Sequence, residues 1–147
     1  MPSVRRQKTT TGFTLVEVLI VVIILGILAM IVVPRYLSAA TTSRESAIKM
    51  NLFRMRTQIE VYYQQHGDHP VLATFTDQMT MASNLAGATA APGTAGYPFG
   101  PYIQKVPPNN NTSTATIGNG AAGTSAWYYD ETTGEFLAND SVASRAF

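Results

Sequence analysis

Residues 13–33 read FTLVEVLIVVIILGILAMIVV, and this stretch decides the architecture of the 147-residue chain. Glu17 is its only ionisable side chain. A helix needs about 20 mainly apolar residues to cross a bilayer core of roughly 30 Å, and this stretch has about 21. We therefore predict a membrane-spanning helix near the amino terminus.

Three basic residues, Arg5, Arg6 and Lys8, precede the apolar stretch, and Gly12 is the last residue before it. Basic residues ahead of an apolar segment hold that end in the cytoplasm, so the later part of the chain is predicted to face the periplasm or exterior. A secretory signal is cut after its apolar stretch, but the small residue here lies before it. Cleavage after Gly12 would keep the membrane helix in the mature chain.

The chain carries a formal charge of +1 and contains no cysteine. Removal of residues 1–12 leaves seven basic side chains against nine acidic ones, a formal charge of −2. This balance does not favour a nucleic-acid partner. Without disulfides, the part outside the membrane must be held by packing or by neighbours in an assembly.

Beyond Pro34 the pattern changes to that of an amphipathic helix. Apolar residues recur at intervals of four, three, four and three and form one stripe: Ile48, Leu52, Met55, Ile59 and Tyr62. Gly67 supplies a natural stop, and Pro70 prevents easy continuation. We predict one long helix from Phe13 to about His66, whose second half lays its stripe on a small head domain.

Gly26 and Pro34 interrupt this predicted helix, because proline removes a backbone hydrogen bond and clashes with the preceding turn. One interpretation is an ordinary kink of the kind that neighbouring helices tolerate in a membrane. The other is a segment that loosens when subunits pack. The residues alone leave both interpretations open.

The head is predicted from shorter signals. Residues 126–129 and 135–138 flank a polar turn and give the clearest hairpin signal in the chain. Residues 102–106 are a candidate strand, and residues 77–84 a candidate second helix capped by Thr76 or Asp77. Residues 86–100 and 109–125 are predicted loops, rich in small and polar side chains.

The predicted fold class is α+β, with a long N-terminal helix packed on a small antiparallel sheet. Residues 1–12 form a leader, residues 13–34 the transmembrane and assembly helix, and residues 35–147 the periplasmic head. The predicted location is a bacterial inner membrane, crossed once with the N-terminus in the cytoplasm, or an extracellular filament.

The residues around the start of the span resemble a known signal. Residues 8–20 read KTTTGFTLVEVLI, a basic leader that ends in Gly12 and is followed by Phe13 and, four residues later, Glu17. This stretch resembles the class III signal of type IV pilins and of the pseudopilins of type II secretion systems. Shorter stretches of the head, residues 63–70, 100–107 and 127–136, resemble major pseudopilins.

The resemblance implies a role for each matching residue. Gly12 would be the last residue of a leader recognised by prepilin peptidase, and Phe13 would become the N-methylated N-terminus. Glu17 would serve assembly. Gly26 and Pro34 sit where this family commonly interrupts its helix.

A physical argument for Glu17 stands beside that resemblance. A carboxylate within a membrane helix costs about 2.5–3.5 kcal/mol at the helix centre and less near an end, so it tends to have a partner. Cleavage after Gly12 creates an α-amino group with a reference pKa of about 7.7–8.0. This cation would pair with Glu17 of its own chain or of the next subunit, and the second pairing would set the register. The alternative is a carboxylate that reaches the membrane interface without a specific task.

Many major pseudopilins bind calcium in the loop between their strands through acidic side chains. Residues 109–125 contain no Asp or Glu, whereas calcium needs several oxygen ligands, typically including carboxylates. Asn and backbone carbonyls, with Asp130 or Asp140, are the remaining candidates. A second metal hypothesis concerns three residues at the helix end: His66, Asp68 and His69. No fourth ligand is evident, so we predict a surface turn there and no metal or cofactor.

Three functions compete at this stage. The leading one is a structural subunit, a type II secretion pseudopilin that polymerises with identical subunits on an inner-membrane assembly platform. The first rival is a type IV pilin for adhesion, motility or DNA uptake, which the absence of a cysteine pair disfavours. The second is a membrane-anchored enzyme or binding protein. It needs an acidic, His-rich or nucleophile-bearing cleft, which the sequence does not offer, so we predict no enzymatic activity.

Overall fold

The computed structural model describes residues 12–147. Of the predicted leader, only Gly12 falls within this range, and Arg5, Arg6 and Lys8 lie outside it. The described chain contains a long helix, a short second helix and two small sheets.

Helix α1 spans Leu15–His66, 52 residues, which confirms the single long helix predicted from the sequence. It ends where Gly67 adopts a φ of +80°, a left-handed conformation that glycine takes without steric cost. The Gly67 amide donates a hydrogen bond to the carbonyl of Tyr63 at 2.8 Å and closes the last turn.

Gly26 and Pro34 both lie inside α1, and the backbone is helical at each of them. Pro34 has no N–H, so the carbonyl of Met30, four residues earlier, lacks its helical donor. Pro34 therefore removes one backbone hydrogen bond, and Gly26 lowers the intrinsic stability of the helix, but neither residue ends it. The loosening of this segment on assembly stays a prediction.

The chain divides into two compact units, one ending at Thr41 and the other spanning Thr42–Phe147. In the first unit, the large apolar side chains of residues 13–33 are 51–82% exposed. Helix α1 is long and apolar enough to cross a membrane, judged by length and composition, and no other helix among residues 12–147 meets that test.

In the unit Thr42–Phe147, the predicted stripe forms the helical side of the core. Its members are at most 2% exposed: Ile48, Leu52, Met55, Ile59 and Tyr62. They share one cluster with aromatic residues from later in the chain: Phe75, Trp127, Tyr129 and Phe136. Full burial of such a side chain contributes about 1.5–3 kcal/mol, so the stripe holds this half of α1 to the rest of the head.

A 3₁₀ turn at Leu72–Thr74 leads into helix α2, which spans Phe75–Thr80. The predicted second helix at residues 77–84 is therefore displaced toward the N-terminus. Thr76 and Asp77 lie within its first turn and do not cap it. Phe75 and Met79 decide the placement, because starting at Phe75 buries both of these side chains.

Within residues 12–147, five short strands form two sheets. Strands β1 (Ala82–Ser83) and β2 (Thr89–Ala90) pair antiparallel. Strand β4 (Trp127–Tyr129) pairs antiparallel with β5 (Phe136–Ala138) and parallel with β3 (Ile117–Gly118). The predicted hairpin is confirmed, and so is the α+β class. The larger sheet is mixed rather than antiparallel, because the loop at residues 109–125 contributes β3.

The predicted strand at residues 102–106 is wrong. The structure gives this segment no strand partner, and the amides of Tyr102 and Ile103 both donate to the carbonyl of Met79 at 3.0 Å. The side chain of Ile103 joins the core. The apolar pattern therefore reflects burial against α2 rather than pairing in a sheet.

Candidate assembly site

Thr14 and Glu17 form a reciprocal pair at the start of α1. The backbone N–H of Thr14 donates to Glu17 Oε2 at 3.0 Å, and the Thr14 hydroxyl donates to the same oxygen at 2.9 Å. The Glu17 N–H in turn lies 3.2 Å from Thr14 Oγ1. This is the capping-box arrangement, in which two side chains satisfy N–H groups that the first helical turn leaves without partners.

The capping box fixes the direction of the Glu17 carboxylate. Its hydrogen bonds within the described chain all go to Oε2, which leaves Oε1 for another donor. The surrounding apolar side chains are exposed rather than packed on Glu17. The carboxylate is therefore held by its own chain through one oxygen and presented outward through the other.

Gly12 and Phe13 lie just before this box, in a non-helical segment. Among residues 12–147 nothing lies within 4 Å of a Cβ built at Gly12, and the Phe13 side chain is largely exposed. Within this described part of the chain, no side chain packs against the position of the predicted cleavage. Glu17 accepts a hydrogen bond from the backbone N–H of Thr14. An α-amino group created at Phe13 would be the next nitrogen along the backbone.

The two histidines of the second metal hypothesis, at the end of α1, have partners within the protein. The His66 ring nitrogens lie 3.0 Å from the Tyr62 carbonyl and 3.1 Å from Ser83 Oγ, while the His69 ring stacks on Tyr63. Within residues 12–147 no three His, Cys, Asp or Glu side chains group closely enough to hold a metal ion. Both imidazoles contribute to packing.

Two head carboxylates named as calcium candidates have different partners. Asp130 Oδ1 accepts the Thr132 N–H at 2.8 Å inside the hairpin turn. Asp140 accepts hydrogen bonds from the side-chain amides of Asn109 and Asn111. The sequence did not predict this second cluster, because its members are about 30 residues apart and follow no motif.

The head also carries a cavity of about 460 Å³ beside the second half of α1. Its lining residues are basic, aromatic, amide or apolar: Arg54, Gln58, Tyr102, Ile103, Gln104, Lys105, Pro107 and Pro108. None of them is a carboxylate, histidine, serine or cysteine.

Comparison with known proteins places these features in a family. Residues 8–33 match the model of the prokaryotic N-terminal methylation motif. Type II secretion system core protein G of Klebsiella pneumoniae is 27% identical over 103 residues, 70% of this chain and 68% of that protein. Its counterpart in Vibrio cholerae is 31% identical over 103 residues, 70% of this chain and 66% of that protein.

A fimbrial protein of Neisseria meningitidis is 31% identical over 106 residues, which cover 72% of this chain and 54% of that protein. No solved structure gives a significant match. The methylation motif, the exposed apolar helix that follows it and the head built on the second half of that helix agree with one another. The chain belongs to the type IV pilin-like family and resembles the core protein G pseudopilins of type II secretion systems.

Proposed function

We propose that this chain is a structural subunit of a pilus-like filament, the pseudopilus of a type II protein secretion system. The observation that carries the proposal is Glu17, the only ionisable side chain in the exposed apolar stretch of residues 13–33, whose Oε1 accepts no hydrogen bond from residues 12–147. Similarity to several proteins named type II secretion system core protein G supports the choice of machine. The role is mechanical rather than catalytic.

Processing comes first in this proposal. Prepilin peptidase cuts between Gly12 and Phe13, and the new N-terminus at Phe13 is methylated. The leader with Arg5, Arg6 and Lys8 stays on the cytoplasmic side, and the head lies in the periplasm, because basic residues ahead of a span are retained inside. Residues 13–34 then cross the inner membrane, and residues 35–147 form the head.

Assembly follows from the charge that processing creates. The ammonium group of Phe13 from one subunit pairs with Glu17 Oε1 of another, while Oε2 stays in the capping box with Thr14. A subunit that slips along the bundle loses this pair and buries an unmatched charge, which costs about 3–5 kcal/mol. Identical subunits therefore add in one register, on an inner-membrane assembly platform.

The test is Glu17→Val in the full-length chain, with Glu45→Val as the control carboxylate on the same helix. Both variants are expected to be cut and inserted normally. Filament yield should fall at least about a hundredfold for Glu17→Val, because the neighbouring ammonium is left unpaired, and should be unchanged for Glu45→Val. Normal filaments from Glu17→Val would refute the register argument.

Processing has a separate test. Replacing Gly12 with leucine is expected to leave an unprocessed precursor in the membrane. Mass spectrometry of the purified chain reads the N-terminus directly. Recovery of a chain that starts at Phe13 from the Gly12→Leu variant would contradict the proposed cleavage.

A type IV pilin for adhesion, motility or DNA uptake is the second candidate, favoured by the similarity to the Neisseria fimbrial protein. The two functions differ in what a strain lacking the gene loses. A pseudopilin mutant should retain exported enzymes in the periplasm and keep its surface pili. Loss of surface pili with normal secretion would select the pilin instead.

A further inference from the structure

A hydrogen-bond network ties the loop at residues 109–125 to the chain that follows β5. Asn109 is fully buried, and its Nδ2 donates to the Ala126 carbonyl at 3.0 Å and to Asp140 Oδ1 at 2.8 Å. Asn111 Nδ2 donates to the other carboxylate oxygen, Asp140 Oδ2, at 2.9 Å. Both oxygens of Asp140 therefore face amide N–H groups.

The orientation of the Asn109 amide is set by backbone partners. Its Oδ1 accepts the Asn111 N–H at 2.9 Å, while its Nδ2 donates to the Ala126 carbonyl. Rotating the amide by half a turn would place Oδ1 against that carbonyl and Asp140, and Nδ2 against the Asn111 N–H. Asn109 consequently presents a donor, not an oxygen ligand, to the carboxylate.

The far end of the same loop is held by Asn139, the neighbour of Asp140. Its buried side chain donates to the Ala121 carbonyl at 3.1 Å and to Ser125 Oγ at 2.8 Å. Its Oδ1 accepts from Arg145 Nε at 2.8 Å, and Arg145 also donates to the Gly120 carbonyl. Consecutive residues after β5 thus hold both ends of the loop.

These residues do not fit a calcium ion. Calcium takes six to eight oxygen ligands, usually including several carboxylates. Here Asp140 is the single carboxylate of the network, and the side-chain oxygens of Asn109 and Asn139 already accept hydrogen bonds. A cation placed beside Asp140 would face the N–H group of Asn109, whose orientation its backbone partners fix and whose dipole repels the cation.

We propose that Asn109, Asn111 and Asp140 form an amide–carboxylate latch that closes the loop on the head without a divalent cation. The two amides supply the positive partial charge that a bound cation would supply to a carboxylate. The network leaves no buried polar side-chain atom without a partner among the described residues, so nothing in it requires a metal. This inference does not rest on the proposed function, since it concerns the folding of one subunit.

The experiment compares the wild-type chain in detergent with three variants. Asn111→Asp turns a donor toward Asp140 into a second carboxylate, and Asn111→Ala removes the donor alone. Asn110→Asp is the control, since it adds the same charge at the neighbouring exposed position, which has no hydrogen bond to Asp140. Fluorescence of Trp127, the only tryptophan, reports unfolding of the head in an excess of EDTA or of calcium chloride.

The wild-type melting temperature is expected to be the same in EDTA and in calcium. In EDTA, Asn111→Asp should melt about 4–8 °C below Asn110→Asp, and Asn111→Ala should melt between these two variants. Chelation that lowers the wild-type melting temperature, or calcium that raises it, would overturn the latch. An Asn111→Asp variant as stable as Asn110→Asp in EDTA would overturn it as well.

Discussion

The two halves of helix α1 use their apolar side chains in opposite ways. Leu25 in the first half is 59% exposed, whereas Leu52 in the second is 1% exposed. The first half is apolar on every side, which suits lipid or other helices as surroundings. The second half is apolar along one stripe, which the head of the same chain covers. The apolar side chains in the second half of this helix are thus buried within the subunit, whereas those in the first half are exposed and available to other molecules.

The largest expected effect comes from one pair of matched substitutions. Leu52→Ala should lower the free energy of unfolding of the head by about 2–5 kcal/mol, because it opens a cavity in the core. Leu25→Ala should leave it unchanged, because Leu25 lies outside the unit that unfolds. Thermal unfolding followed by Trp127 fluorescence measures both. Equal losses from the two variants would remove the distinction between the halves.

Two glycines sharpen the same comparison. A Cβ at Gly87, which has a φ of +76°, would lie 2.8 Å from Tyr62 Oη and 2.9 Å from Gln78 Nε2. Gly87→Ala should cost about 1–3 kcal/mol of head stability through backbone strain and overpacking. A Cβ at Gly26 meets nothing within 4 Å, so Gly26→Ala should not lower it. The denaturant concentration at the midpoint of unfolding is measured for both variants. A Gly87→Ala midpoint equal to that of the wild-type chain would contradict the predicted strain.

A smaller effect is expected from one buried hydroxyl. Tyr129 Oη donates to the Pro70 carbonyl at 2.7 Å and fastens the segment after α1 to β4. Tyr129→Phe should lower the free energy of unfolding by about 1 kcal/mol, and Tyr36→Phe in the exposed half should have no effect. Melting curves of the two variants make the test. No change in Tyr129→Phe would mean that the hydrogen bond contributes nothing net.

The smallest expected effect is a pH dependence confined to the head. Burial acts to raise the pKa of Asp140, but hydrogen bonds from Asn111, Asn109 and Ser144 outweigh it, so the pKa lies below its usual value. The stability that Asp140 contributes is therefore present above its unfolded pKa of about 3.9 and is lost as the pH falls through the folded pKa.

Melting temperatures of the wild-type chain and of Asp140→Asn, measured between pH 5 and pH 3, test whether the stability from Asp140 is lost as the pH falls. The wild-type curve should fall more steeply toward acid than that of the variant. Asp130 also has a lowered pKa, chiefly because it accepts the Thr132 N–H, and the fall that remains in Asp140→Asn should include its contribution. Parallel curves for the two proteins would show that Asp140 does not contribute.

Local patterns predicted the parts of the fold that local physics decides. The spacing of Ile48, Leu52 and Met55 indicated the buried stripe, because only one helical face repeats at those intervals. The hairpin followed from a polar turn between two apolar runs. The strand predicted at residues 102–106 was wrong because an apolar run needs a partner to become a strand, and that partner is not encoded nearby.

The sequence predicted some features of the candidate site and of the head but not others. The motif around Glu17 was evident, and the Thr-x-x-Glu pattern that forms the capping box with Thr14 is also present in the sequence. The latch was not predictable, because Asn109 and Asp140 meet only once β4 and β5 have formed. Residues on one helical face recur at a fixed spacing in the sequence, whereas an amide and a carboxylate that pair across the fold do not.

The buried stripe of α1 and the aromatic residues that pack on it are far apart in the sequence, which affects how the nascent chain folds. Leu52 and Phe136 belong to one core, yet 84 residues of synthesis separate them. At about 5–20 residues per second, a ribosome needs roughly 4–17 s to make that stretch. For most of this interval the second half of α1 exists without Trp127, Tyr129 and Phe136, three of the aromatic side chains that bury it. The head therefore folds late, after β5 has emerged, and a nascent chain stopped before Phe136 would be a natural client for chaperones.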